Sequence, residues 1–420
     1  MRKHRWRAER HFFWGAVLAL AMIALLAGCA PSAPTWESSG PQQAPALISL
    51  AVDPNQLQTV FAGSAGKGVY RSTDGASTWA SANTGLPQDL MVQSIVTDPA
   101  LPGQVYLGTD QGFFLSTDDG AHWQGASQGL PSDTTITAIA INPTDSNTLY
   151  LGTAQQGLFV SQDGAKTWST SSTGLPTHAQ VRALLAVQNA QGVHLYAGLM
   201  GAGVYLSNDG GQSWAASNTG LPTGTDGLSL LWQPSNPVGL YLGTNAGIYR
   251  SANAGAIWQA VNTGLGEPAP QVPALALNTE EPQFLYAGTS AGAFRSANGG
   301  AGWVQVASGL PTGQAVVALA VAGSKASLGQ IYVAAGGVYR YPGGSSSIVS
   351  KVVTVVVAAI LILACFLLFR QQRRIMSRIT SRPQDKTGPS TSTASQNKPD
   401  EVAQKGADDQ GPVQQNTQPF

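Results

Sequence analysis

Ser72-Thr73-Asp74-Gly75-Ala76-Ser77-Thr78-Trp79 is an eight-residue phrase that the chain repeats in register. It returns as Ser116 to Trp123, Ser161 to Trp168, Ser207 to Trp214, Ser251 to Trp258 and Ser296 to Trp303, the tryptophans 44, 45, 46, 44 and 45 residues apart. Its third position holds Asp74, Asp118, Asp163, Asp209, Asn253 and Asn298. A period of this length marks one supersecondary unit stacked on copies of itself. In such a turn a short carboxylate accepts backbone N–H groups of its own loop, while glycine supplies positive φ. The box residues therefore read as structural, with a catalytic or metal role disfavoured.

Between boxes the chain reads as short strands. In the second unit these are Met91 to Asp98, Gln104 to Thr109, Gly112 to Thr117 and His122 to Ala126, separated by Asp-Pro, Gly and Asp-Gly turn signals. Four antiparallel strands every ~45 residues make a propeller blade. The box joins the third strand to the fourth, and the tryptophan opens the outermost strand. Each such indole can bury about 150–250 Å² against its blade. A second element follows each box: Thr84-Gly85-Leu86-Pro87, Gln128 to Pro131, Thr173 to Pro176, Thr219 to Pro222, Thr263 to Gly266 and Ser308 to Pro311. It links one blade's outer strand to the next blade's inner strand, with its leucine expected to plug the space between blades.

The two ends of the array are complementary. After Trp303 come three more strands, near Ala315 to Val321, Gln330 to Ala334 and Gly337 to Tyr341, and the motif then decays. Thr35 and Trp36 supply what is missing, because Trp36 precedes Asp53 by 17 residues much as Trp79 precedes Asp98 by 19. The expectation is an all-β, seven-bladed propeller over residues 30–347 whose last blade takes its outer strand from around Thr35 to Ser38. Closure of this kind removes exposed sheet edges.

The flanks give an address. Residues 1–29 place Arg2, Lys3, Arg5, Arg7 and Arg10 before an apolar run from Phe12 to Ala27, the layout of an export signal. The run ends in Leu26-Ala27-Gly28-Cys29, which resembles the lipobox of bacterial lipoproteins, and so makes Cys29 a candidate for lipid attachment; an ordinary cleaved signal and an uncleaved anchor are the alternatives. Residues 348–369 form an apolar run that at ~1.5 Å per residue spans a bilayer core as one C-terminal transmembrane helix. Arg370, Arg373, Arg374, Arg378 and Arg382 follow at once, and the positive-inside rule makes that end cytoplasmic and the ring extracytoplasmic. Residues 370–420 then form a basic juxtamembrane segment and a polar tail expected to be disordered. Only Cys29 and Cys365 are cysteines, so the ring holds no disulfide. Residues 30–347 carry eight Lys/Arg against sixteen Asp/Glu, net −8, which disfavours nucleic acid as a partner.

The unit of strand, Tyr-Leu-Gly-Thr (Tyr106 to Thr109), Gly-Val-Tyr-Arg-Ser (Gly68 to Ser72), box and tryptophan resembles the Asp-box, or bacterial neuraminidase, repeat superfamily. Within it the chain is most similar to single-propeller proteins of the photosystem II stability and assembly factor type and of the sortilin type. The resemblance covers residues 35–341 and implies the fold more than an activity, since relatives include sialidases, xyloglucan-active glycosidases and non-catalytic assembly or sorting factors. A sialidase of this superfamily would need three arginines converging at the axis. Here Arg71, Arg250, Arg295 and Arg340 share one repeat position before the box, where other blades carry Leu115, Val160 and Leu206. That position implies packing away from the axis, with the guanidinium snorkelling outward. The xyloglucan-active type resembles two tandem propellers with paired carboxylates in the cleft between them, and one propeller has no such cleft.

If strands alternate in direction, box turns lie on one face, and the linkers and second-to-third-strand loops lie on the other. Both tethers then leave from the box face. The opposite face becomes the outward one, with Lys67, Asp89, Asp110, Asp133, His178 and Asp226 as candidate binding residues and Met91 and Met200 as apolar contacts. No metal-ligand spacing surrounds His178, and Gly210-Gly211 and Gly336-Gly337 lack the strand-loop-helix setting of a phosphate loop, so no cofactor is expected. The expected role is a membrane-anchored, non-catalytic scaffold binding protein or glycan; the alternative is a cell-surface glycoside hydrolase.

Overall fold

A computed structural model describes residues 35–41, 46–189, 191–234, 239–279, 281–306, 308–324 and 327–341. Residues 1–29, where the export signal and lipid attachment at Cys29 are expected, the apolar run 348–369 and the tail all lie outside them. Among the described residues no helix is long and apolar enough to cross a membrane. The described secondary structure is all β: seven four-stranded antiparallel sheets. Blade 1 runs Leu47–Val52, Val60–Ser64, Val69–Ser72 and Ala80–Ser81 from axis to rim, and five further blades repeat this meander. The first strands of successive blades pack side by side around the axis, that of blade 1 touching those of both blade 2 and blade 7.

Blade 7 is the composite that the two ends of the array require. Its inner strands are Ala318–Ser324, Ser327–Ala334 and Val338–Tyr341, and its outer strand is Glu37–Ser38, pairing Glu37 with Arg340 and Ser38 with Tyr339. Trp36 is 5 % exposed and sits where a seventh box tryptophan belongs. Its backbone N–H donates to Ser308 O at 2.8 Å, as Trp123 N–H donates to Thr84 O at 2.9 Å and Trp303 N–H to Thr263 O at 2.8 Å. The indoles close a seven-fold cycle. Each Nε1–H donates to the carbonyl three residues past the preceding blade's tryptophan: Trp123 to Ala82 at 2.8 Å, Trp168 to Ala126 at 2.8 Å, Trp303 to Val261 at 2.9 Å, Trp36 to Val306 at 2.7 Å, and Trp79 to Ser39.

The core consists of layers between blades. Leu86 packs with Phe61, Leu107 and Trp123, and Leu310 packs with Trp36, Ile331 and Tyr341, so the linker leucine fills the gap between blades as expected. The linker glycine is dictated by the same contact. A Cβ on Gly85 would stand 2.2 Å from the Trp123 carbonyl oxygen, and one on Gly309 2.2 Å from that of Trp36. Nearer the axis, a second-strand glycine lets the next blade approach: a Cβ on Gly63 would meet Val92 side-chain carbons at 2.8 Å. There Ser49 Oγ–H donates to Val92 O at 2.8 Å, bolting the inner strands together beside a bulge between Leu47 and Ser49.

Strand ends differ from expectation in one systematic way. The outer strands are two residues long, Gln124–Gly125 in blade 2, against the sequence expectation of His122 to Ala126. His122 is still part of the box turn, its backbone N–H donating to Asp118 Oδ1 at 2.9 Å.

Candidate functional site

Two faces follow from the loops. On one, box turns lie against the loop between first and second strands of their own blade: Gly75 N–H donates to Gln58 O at 2.9 Å, and Asp119 N–H to Gly103 O at 2.9 Å. On the other, loops between second and third strands meet the linkers, as in Gly68 N–H to Leu90 O at 2.9 Å and Gly203 N–H to Thr225 O at 2.8 Å. Tyr341 ends its strand on the box face, and the pairing of Glu37 with Arg340 brings Thr35 to that same face.

The box turns show what their residue types are for. Ser72 Oγ–H donates to Asp74 Oδ1 at 2.8 Å and Ser72 Oγ accepts Ala76 N–H at 2.9 Å. Asp74 Oδ1 accepts Ser77 N–H at 2.9 Å and Thr78 N–H at 2.8 Å, and Oδ2 accepts Thr78 Oγ1–H at 2.6 Å. These bonds, the Thr78 hydroxyl foremost, hold the Asp74 carboxyl at about 2, below its usual 3.8. Asp163 and Asp209 are lowered to about 2 by the Thr167 and Ser213 hydroxyls first, and Asp118 by His122 first. A carboxylate so fully engaged in its own turn is a staple, and one that stays ionised this far down is a poor general acid. Asn253 and Asn298 keep the Oδ1 half of this arrangement, accepting the serine hydroxyl at 2.8 Å in each case.

The candidates on the opposite face are placed as expected but are committed to the fold to differing degrees. Lys67 and Asp89 are brought together, Nζ to Oδ1 3.2 Å, with both side chains exposed. Asp110 Oδ1 accepts Met91 N–H at 2.9 Å, and Asp226 Oδ1 accepts Gly201 N–H at 2.7 Å, so both carboxylates tie a loop to a linker. Asp89, Asp133 and His178 stand at one repeat position with φ of 53°, 59° and 57°, where two other linkers have Gly224 and Gly313 at 76° and 74°. Aspartate and histidine are among the few non-glycine residues that tolerate this region. Their identity is thus accounted for by backbone geometry, and they remain exposed on separate blades. Met200 is exposed and Met91 half-buried. Among the described residues no group of three His, Cys, Asp or Glu gathers as metal ligands would.

The repeat-position arginines do not point outward. Arg340 and Arg71 reach between blades, Arg340 Nη1–H donating to Gly75 O at 3.3 Å while its Nη2 pairs with Glu37 at 2.9 Å, and Arg71 Nη2 standing 3.9 Å from Asp119 Oδ2, whereas the Arg295 guanidinium stacks 4.3 Å over Phe284 of its own blade. For Arg71 and Arg340 the next blade's box turn offers acceptors at that height, which draws the guanidinium into the seam. What the sequence reading missed is at the axis. A cavity of about 640 Å³ opens at the box-face end of the channel, lined by Leu185, Val187, Leu231, Trp232, Leu277 and Val321 among others. Trp232 was its available signal: it is the one ring tryptophan outside box register.

The sequence of residues 67–172 matches the family model for sortilin, neurotensin receptor 3. No curated protein matches the chain. Among solved structures, the xyloglucanase of glycoside hydrolase family 74 from Xanthomonas campestris is similar over 74 % of this chain and 54 % of its own, with 19 % identity and a TM-score of 0.58. The chain thus spans about half the length of that enzyme. YCF48 bound to a D1 peptide is similar over 74 % of this chain and 96 % of its own, at 16 % identity and TM-score 0.56. YCF48 from Cyanidioschyzon merolae matches over 73 % and 98 %, at 15 % identity and TM-score 0.52. These structures share with the chain the propeller fold. At these identities the likeness is one of fold, shared by a xyloglucanase and by YCF48, which was seen with a bound peptide.

Proposed function

We propose that this Asp-box propeller is a membrane-anchored, extracytoplasmic scaffold that binds protein or glycan without catalysing a reaction, presenting the face opposite its box turns. One observation carries the reading: the ring is closed by its two ends, and Thr35 and Tyr341 both open onto the box face, beyond which the sequence runs into apolar segments on either side. The far face is left for a partner. That face has an acidic lean, with Asp89, Asp110, Asp133 and Asp226 set against Lys67 and Arg182, which favours a cationic patch on the ligand. The YCF48 structure with a bound peptide supports a propeller of this length acting as a binder. The rival reading, a cell-surface glycoside hydrolase, draws on the xyloglucanase likeness; the residues placed on the far face give it less support, because Asp110 and Asp226 are each engaged by a backbone N–H of a neighbouring segment.

The test uses the full-length protein in lipid nanodiscs, presented in parallel to a glycan array and to extracellular proteins of the organism that makes it, with chemical crosslinking. Capture of a protein or glycan that is weakened by the pair Asp89→Lys and Asp226→Lys, with no glycan cleavage, is the expected result. Release of shortened oligosaccharide would establish the hydrolase instead. Topology is checked separately: a cysteine at His178 should react with a membrane-impermeant maleimide in intact cells, and one at Ser390 only after lysis.

A further inference from the structure

The axial cavity on the box face has a different chemistry from the far face. Its volume, about 640 Å³, lies within the range of about 300–1,000 Å³ usual for small-molecule sites. It is formed where the first strands of blades 4 to 7 end, and among the described residues that line it none is charged; the polar ones are Gln188 and Thr279. Leu185, Leu231, Trp232, Leu277 and Val321 stay only half-buried there, so the pocket is greasy and open at once. Trp232 is the outlier of its register. It pairs with Leu240 at the position held by Val52, Thr97, Ala186 and Leu277 in other blades, and its indole widens the apolar wall where smaller side chains suffice for packing.

Glycans, anions and charged peptides find little to bond in such a lining, whereas a hydrocarbon chain finds dispersion contacts and release of water. The surroundings choose the source. Thr35 and Tyr341 lie on this face, and residues 342–347 separate the ring from the apolar run, a reach of about 20 Å at most. The same face also exposes Leu101, 41 %, in a loop between first and second strands, and Ile257, 49 %, in a box turn, while Trp is a residue of membrane interfaces. Resting on the reading that the ring is membrane-tethered, we propose that this mouth takes an acyl chain of a bilayer phospholipid, seating the ring on the membrane by its box face. Because Asp74, Asp118, Asp163 and Asp209 are anionic on that face, zwitterionic lipid is favoured over anionic lipid.

The experiment reconstitutes the full-length protein in phosphatidylcholine vesicles doped with a phospholipid carrying a photoactivatable diazirine in its acyl chain, and maps adducts after irradiation by peptide mass spectrometry. Adducts are expected within residues 181–189, 227–233 and 274–279, in addition to the apolar runs 12–27 and 348–369. Ala186→Trp places on blade 4 the side chain that blade 5 carries at the same register and fills the mouth; it should abolish the ring adducts, leave those of the apolar runs, and keep the melting temperature. Ala276→Phe serves as the second filling variant should Ala186→Trp melt early. Adducts confined to the apolar runs, or ring adducts that survive both filled variants, overturn the acyl-chain site while leaving the membrane tether standing. No adducts anywhere overturn the tether and the site together.

Discussion

At the box turns, aspartate and the residue just before tryptophan are chosen together. Asp74, Asp118, Asp163 and Asp209 are followed four residues on by Thr78, His122, Thr167 and Ser213, whose side chains each bond to Oδ2. Where the box holds Asn253 or Asn298, that position is Ile257 or Gly302, which donate only a backbone N–H, at 2.9 and 3.0 Å. A carboxylate offers a second acceptor that needs a donor; an amide turns an NH₂ there and needs none. Exchanging Asn253 for Asp and Ile257 for Thr together should therefore raise the melting temperature more than the two single changes summed, which a double-mutant cycle measures. The four native carboxylates also set an acid limit. Their folded values, about 2, lie below the ordinary 3.8, so the stabilisation they give is complete above 3.8 and is lost as pH falls towards 2. Melting temperature should hold level above that window and decline within it. Replacing all four by asparagine should flatten the decline; an unchanged slope would assign acid sensitivity to other groups.

The outer strand of blade 7 is two residues long, yet it brings Trp36, and the indole rather than the ladder is what anchors it. Trp36 packs with its ring centroid 4.9 Å from that of Tyr341, and it is buried to the same 5 % exposure as Trp123. Trp36→Ala is therefore expected to cost about 3–5 kcal/mol, the range for a buried tryptophan truncated to alanine, and the same as Trp123→Ala in urea unfolding. Glu37→Ala, which removes only a largely exposed ion pair with Arg340, should cost no more than about 1 kcal/mol. Legibility from sequence divides along the same line. Features repeated in register could be read: the blades, the linker leucines, and Trp36 as the missing seventh tryptophan. Features set by the neighbouring blade could not, because periodicity describes one unit at a time. Arg71 and Arg340 of the third strands find partners across a seam, and the positive φ shared by Asp89, Asp133 and His178 is a property of the folded backbone. The cavity around Trp232 was hidden because strands from distant parts of the chain converge to make it.

For the molecule as a whole, the ring is a circle with one nick, placed where a seventh box would stand. Tyr341 occupies the position that Ser296 holds in blade 6, and six residues separate Ser296 from Trp303. Five residues of box sequence inserted between Tyr341 and Thr35 should thus restore a continuous turn, with the new ends opened in the exposed turn between Asn189 and Gly192 of blade 4. In the native chain the pairing of the outer strand with its own blade and the Trp36 indole bond to Val306, which spans 270 positions, close very long loops, and the entropy of that closure opposes folding. Joining the ends makes the contact local. The permutant should keep the native near-ultraviolet circular dichroism of its tryptophans and melt in one transition at or above the native temperature, with blade 4 now the composite one. A permutant that folds but melts in two steps would mean that the seven blades do not cooperate as one ring, and that the composite blade is a clasp added to an arc already stable without it.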